Sequence, residues 1–93
     1  MTEEQEIRRG EDASRILNEP VFKDSMEKIK KTILDQWGAT GAQKTEEREW
    51  LWHHYQAALR FEEILTSVMN TGKMSALKKT ETVREKAMRI WSR

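Results

Sequence analysis

Apolar residues along this chain recur at helical intervals, and nowhere do they alternate with polar ones for long enough to build a useful strand. Between residues 20 and 37, Phe22, Met26, Ile29, Ile33 and Trp37 are spaced by four, three, four and four, and Leu34 widens the stripe. That spacing predicts one apolar helix face about four turns long. Lys23, Asp24, Glu27, Lys28, Lys30 and Lys31 occupy the remainder as a solvated face. Pro20 suits the first turn of such a helix and disfavours helix at Glu19, while Gly38 is expected to close it with a left-handed cap.

A longer stripe follows, made of Leu51, His54/Tyr55, Ala58, Phe61/Glu62, Leu65 and Val68/Met69. Thr45 reads as its N-cap, with Glu46 and Glu47 in the first turn where the helix dipole favours acids. Asn70-Thr71-Gly72 reads as its stop. Residues 38 to 44 suffice to reverse the chain, so helices over 20–37 and 46–70 are expected to form an antiparallel hairpin. Upstream, Ala13, Ile16 and Leu17 predict a short helix near 11–18, because Gly10 interrupts the pattern and the residues before it are mostly charged. Downstream, residues 73–93 read as a fourth, partly independent helix, with Met74, Leu77, Met88 and Trp91 on one side and Glu81 and Arg84 breaking that side. The expected architecture is therefore all-α: one domain over 1–93, a core over 11–72 that contains the hairpin of 20–70, and a basic C-terminal helix over 73–93.

Composition sharpens this picture in two ways. With 93 residues and no cysteine, the chain has neither disulfides nor thiolate zinc sites to supplement its core. A domain of this size buries only roughly 60–65% of its unfolded surface, so self-association is the expected supplement. The opening residues Met1-Thr2-Glu3-Glu4-Gln5-Glu6 are acidic where a secretion signal is basic, and no apolar run approaches the ~18 residues that span a bilayer. A cytoplasmic protein without a membrane partner is expected.

Charge is unevenly placed. Residues 1–72 hold 10 basic and 14 acidic side chains, whereas residues 73–93 hold seven basic and two acidic, so a net −4 is followed by a net +5. Lys73, Lys78, Lys79, Arg84, Lys86, Arg89 and Arg93 are thus candidates for contacts with nucleic acid or an acidic protein. The plainer alternative is a solvated helix whose cations complement the acidic front of its own chain or of a second subunit. Four tryptophans are many for this length. Trp50 and Trp52 flank Leu51, so at most one of them can share its buried face, and with Trp91 they are the candidates for protein contacts.

Catalysis finds no motif. His53 and His54 point about 100° apart on a helix and cannot jointly grip a metal from it, and His54 reads best as a core-edge or interface residue. Glu46, Glu47, Glu49, Glu62 and Glu63 fit an exposed face and cap better than acid–base chemistry, which needs a concave, desolvated setting. No nucleophile elbow, Walker loop or dinucleotide fingerprint is present. The chain is expected to work by binding, without cofactor or metal.

Ile16-Leu17-x-x-Pro20-x-Phe22, then Trp37, Thr45-x-x-Arg48-Glu49-x-Leu51-Trp52 and Val68-Met69-x-Thr71-Gly72-Lys73-Met74 together resemble a group of small helical proteins encoded by tailed bacteriophages and prophages, mostly without assigned function. The resemblance covers about residues 11–76. It implies expression in the cytoplasm of a bacterial host and a place in the virion or its assembly, and it brings no catalytic or binding residue with it. Gly41-Ala42-Gln43-Lys44 replaces a more acidic stretch, and the basic tail is longer than in that group. An interaction or assembly protein, forming homo-oligomers or binding a phage or host protein, is the leading expectation. A nucleic-acid-binding packaging or regulatory accessory and a small inhibitor of a host defence protein are the alternatives.

Overall fold

A computed structural model describes the backbone of residues 1–91 and consists of three α-helices: α1 (Glu3–Asn18), α2 (Pro20–Ala39) and α3 (Thr45–Trp91). The predicted short helix near 11–18 is a 16-residue element that runs through Gly10. Its start is fixed by a capping box: the Gln5 N–H donates to Thr2 Oγ1 at 3.2 Å and the Thr2 N–H donates to Gln5 Oε1 at 2.9 Å. Glu3, Glu4 and Glu6 then place negative charge in the first turn, so the acidic lead-in favours helix instead of fraying it.

One residue separates α1 from α2. Glu19 is extended, as a residue before proline must be, and its N–H still closes α1 on the Ile16 carbonyl at 3.1 Å. At the far end of α2 the expected left-handed glycine cap is absent. Gly38 lies inside the helix, no glycine has positive φ, and Thr40 ends the helix in extended conformation with its hydroxyl donated to the Gln36 carbonyl at 2.6 Å. The turn is consequently shorter than predicted, and Thr45 is already helical instead of capping α3 from outside.

The largest departure concerns α3. Asn70-Thr71-Gly72 does not stop it, and residues 73–91 are the continuation of one 47-residue helix, not a separate fourth element. Among the buried or half-buried positions on α3, Arg48, Leu51, Tyr55, Ala58, Glu62, Leu65, Met69, Gly72 and Ala76 form a row spaced alternately by three and four, and Leu59, Val68 and Ser75 flank it. Such a 3.5-residue period is that of a coiled-coil seam, which keeps one face turned to a neighbour over many turns. α1 covers its later half and α2 its earlier half, both running opposite to α3: Glu4 meets Lys79 and Gly10 meets Gly72, then Phe22 meets Phe61 and Trp37 meets Arg48. Packing by α1 supplies what the local sequence at 70–72 lacks.

The seam of α1 is lined by Gly10, Ala13 and Ser14, and it faces Gly72, Ser75 and Ala76. A Cβ on Gly10 would stand 2.7 Å from the Gly72 Cα, so the two backbones touch directly and only glycine fits either position. The Ser75 hydroxyl, buried in this seam, donates to Glu6 Oε2. α2 instead meets α3 through long side chains. Met26 and Leu51 are buried, whereas Ile29, expected inside, is 46% exposed. Its seam position is taken by Lys30, which was expected on the solvated face and pairs with Glu62 at 2.8 Å.

Candidate interaction surfaces

Leu51 is only 2% exposed and fixes how the tryptophans stand, since its two neighbours point about 100° to either side of it. Both are exposed, Trp50 by 57% and Trp52 by 54%. Trp52 borders an open apolar groove of about 350 Å³ with Ile33, Leu34, Trp37 and Tyr55. Trp50 lies on the other side, its ring stacked on His54 at 3.8 Å between centroids. His54 Nδ1 sits 2.9 Å from the Trp50 carbonyl, which can only accept, so this nitrogen carries the proton. The position inside the seam, which the stripe shared between His54 and Tyr55, belongs to Tyr55; His54 is exposed.

Arg48 closes this end of the molecule. Its Nη1 donates to the carbonyls of Trp37 at 3.1 Å and Thr40 at 2.8 Å, and its guanidinium carbon lies 3.9 Å from the centroid of the Trp37 ring. One cation thus satisfies the last carbonyls of α2, interacts with the negative end of its dipole and covers an indole face. Farther along the seam the Glu62 carboxylate raises the pKa of Lys30, chiefly through their hydrogen bond, against an opposing effect of burial. Beside this pair, Phe22 and Phe61 rings stand 6.0 Å apart.

The other end is basic. Lys79 reaches Glu4 at 3.5 Å, and the twelve residues from 80 to 91 carry α3 about 18 Å past that contact at the helical rise. Lys78, Lys79, Lys86 and Arg89 fall within an arc of about 100° on this helix. Lys73 and Arg84 project on other sides, Lys73 along a groove shared with Glu11 and Arg15 of α1. Val83 and Ile90, 61% and 74% exposed, repeat the seam position of Ala76 at seven-residue intervals beyond the reach of α1. The Trp91 side chain and Arg93, both candidate contacts in the sequence, lie outside the described residues. The remaining candidates therefore form two groups at opposite ends, Trp50 and Trp52 at one and the cations at the other.

No protein-family model, curated protein or solved structure matches this chain.

Among the described residues no three histidine, aspartate or glutamate side chains come together in a way that could hold a metal ion, and no helix is long and apolar enough to cross a membrane. Three determinants escaped the sequence pattern: Arg48 as a clamp, the Lys30–Glu62 pair and the Gly10–Gly72 contact. The first two are charges on a seam, which periodicity assigns to the surface. A signal for the third existed, since Gly10 and Gly72 each sit amid a helical pattern that only a packing partner would justify.

Proposed function

We propose that this is a non-enzymatic interaction or assembly protein of a tailed bacteriophage, at work in the bacterial cytoplasm or in the virion. In this reading the hairpin of residues 20–70 self-associates through its uncovered apolar sides, and the basic helix from Lys73 onward docks a larger acidic partner. The observation that carries it is the exposed area. The chain exposes 7853 Å², whereas a folded monomer of 11.0 kDa exposes roughly 5,600 Å². Its radius of gyration of 20.9 Å likewise exceeds the about 12 Å of a compact domain of this length. The surplus of roughly 2,200 Å² is more than twice the ~800 Å² that each partner contributes to a standard interface.

A second reading, a nucleic-acid-binding accessory, is favoured by the arc of Lys78, Lys79, Lys86 and Arg89, because phosphates are met by cations aligned on one side of a helix. Light scattering on the full chain over a range of concentrations, at low and moderate salt, tests the main reading. A discrete oligomer at both salts is expected. A monomer at every concentration would remove the self-association half of the proposal.

A further inference from the structure

We infer that a second copy of this chain seats on the stripe Trp50, His54, Ala57, Phe61 and Ile64 of α3, antiparallel to it, so that two hairpin ends form a four-helix bundle. The inference rests on the self-association reading above and adds the surface to it. These five residues are spaced by four, three, four and three, the same alternation as the seam that α2 covers, and each precedes a seam residue by one position. The helix therefore carries two seams about 100° apart, as a helix with two neighbours in a bundle does. One seam is occupied; the other is about half open, with Trp50 57%, Phe61 50% and Ile64 51% exposed although Phe61 also meets Phe22 of α2.

The stripe holds no Asp, Glu, Lys or Arg, although these four make up 35% of the chain. That depletion marks the centre of an interface better than apolar content alone. Ile29 extends the patch onto α2, since it lies on the side away from Leu34 and the Trp52 groove and is 46% exposed. Size along the stripe also favours an isologous pairing. Small Ala57 at the middle lets two copies approach, while Trp50 of each lies against the Phe61 and Ile64 end of the other, so one patch is its own complement. The chain exposes roughly 2,200 Å² more than a compact monomer of its mass, and this stripe is one apolar part of that excess.

The natural sequence has no cysteine, so a single introduced thiol reports proximity cleanly. Ala57→Cys places it on the stripe, and Gln56→Cys places it at the same level beside the Trp52 groove. Both variants of the full chain are oxidised at a concentration where light scattering gives a dimer, and the covalent dimer is followed on non-reducing gels. Cross-linking through Cys at 57 is expected to be about tenfold faster or more, because a disulfide needs Cα atoms within roughly 7 Å. Ile64→Arg is expected to yield a monomer with unchanged far-ultraviolet helicity. A dimer that cross-links no faster from position 57 than from 56 and survives Ile64→Arg would overturn the surface while leaving self-association intact. A wild-type chain that is monomeric throughout would overturn both.

Discussion

The contacts that α1 and α2 make along α3 are packed by opposite means. Where α1 meets α3, a Cβ on either Gly10 or Gly72 would lie 2.7 Å from the other residue's Cα, and the helices touch along a seam of Gly, Ala and Ser. Where α2 meets α3, large side chains hold the helices apart, and much of Ile29, Leu34, Trp37, Trp50 and Trp52 remains in water. Small residues bury little apolar area but allow many close backbone contacts and only one register. Large residues bring more apolar surface than a two-helix layer can cover. The first end is a finished interface, the second an unfinished one, and an unfinished apolar face is where a partner gains most from binding.

Leu51→Ala should have the largest effect on this contrast, because Leu51 is the most enclosed apolar side chain of the open end. A loss of about 2–3 kcal/mol in chemical denaturation is expected, in the lower part of the range for buried leucines since the adjoining groove can partly close over the gap. Leu77→Ala, at a position 60% exposed, is expected to change stability by less than about 0.5 kcal/mol. If the two cost the same, the open end has no core of its own and the comparison fails.

The tight end is probed by one substitution made in two places. Gly72→Ala puts a methyl 2.7 Å from the Gly10 Cα and 2.9 Å from the Glu6 carbonyl oxygen, both backbone atoms that cannot step aside. Overpacking of this kind costs about 1–3 kcal/mol, against which alanine recovers about 1 kcal/mol of helix propensity. Gly38→Ala meets nothing within 4 Å inside α2 and is expected to stabilise by about 0.5–1 kcal/mol. Thermal melts should therefore move in opposite directions. Equal upward shifts would mean that the helices separate without cost and that the contact sets no register.

These glycines also show how far the sequence could be read. Helical class, the Pro20 boundary, the start of α3 near Thr45 and the exposure of Trp50 and Trp52 on either side of Leu51 follow from local rules that act within a few residues. The length of α1 and the continuity of α3 do not. Gly10 and Gly72 each weaken a helix locally, and only their meeting across a sequence separation of 62, reinforced by Glu6 on Ser75, converts two apparent breaks into one contact. Periodicity misassigned Ile29 and Lys30 for a related reason. Steps of three and of four from Met26 are both helical neighbours, and it is Glu62 on α3, paired with Lys30 at 2.8 Å, that turns Lys30 rather than Ile29 inward.

The smallest expected effect lies between the two ends, at Lys30 and Glu62. Lys30 is 27% and Glu62 32% exposed along their side chains, so the pair is only partly screened and should contribute a few tenths to about 1 kcal/mol. Because the pKa of Lys30 is raised in the folded chain, mainly by its hydrogen bond to Glu62, the folded protein holds this proton more tightly than the unfolded one. The contribution is thus fully present below pH 10.5 and is lost as the pH rises through the higher folded value. Comparison of wild type with Lys30→Met by denaturation at pH 7 and at stepwise higher pH should show a gap that narrows only above pH 10.5. Adding Glu62→Gln to both closes a double-mutant cycle and separates the pairing from the loss of the lysine stem. A gap that stays constant into strong alkali would mean that Lys30 acts through its methylenes, and that the seam between the tight and the open end is apolar after all.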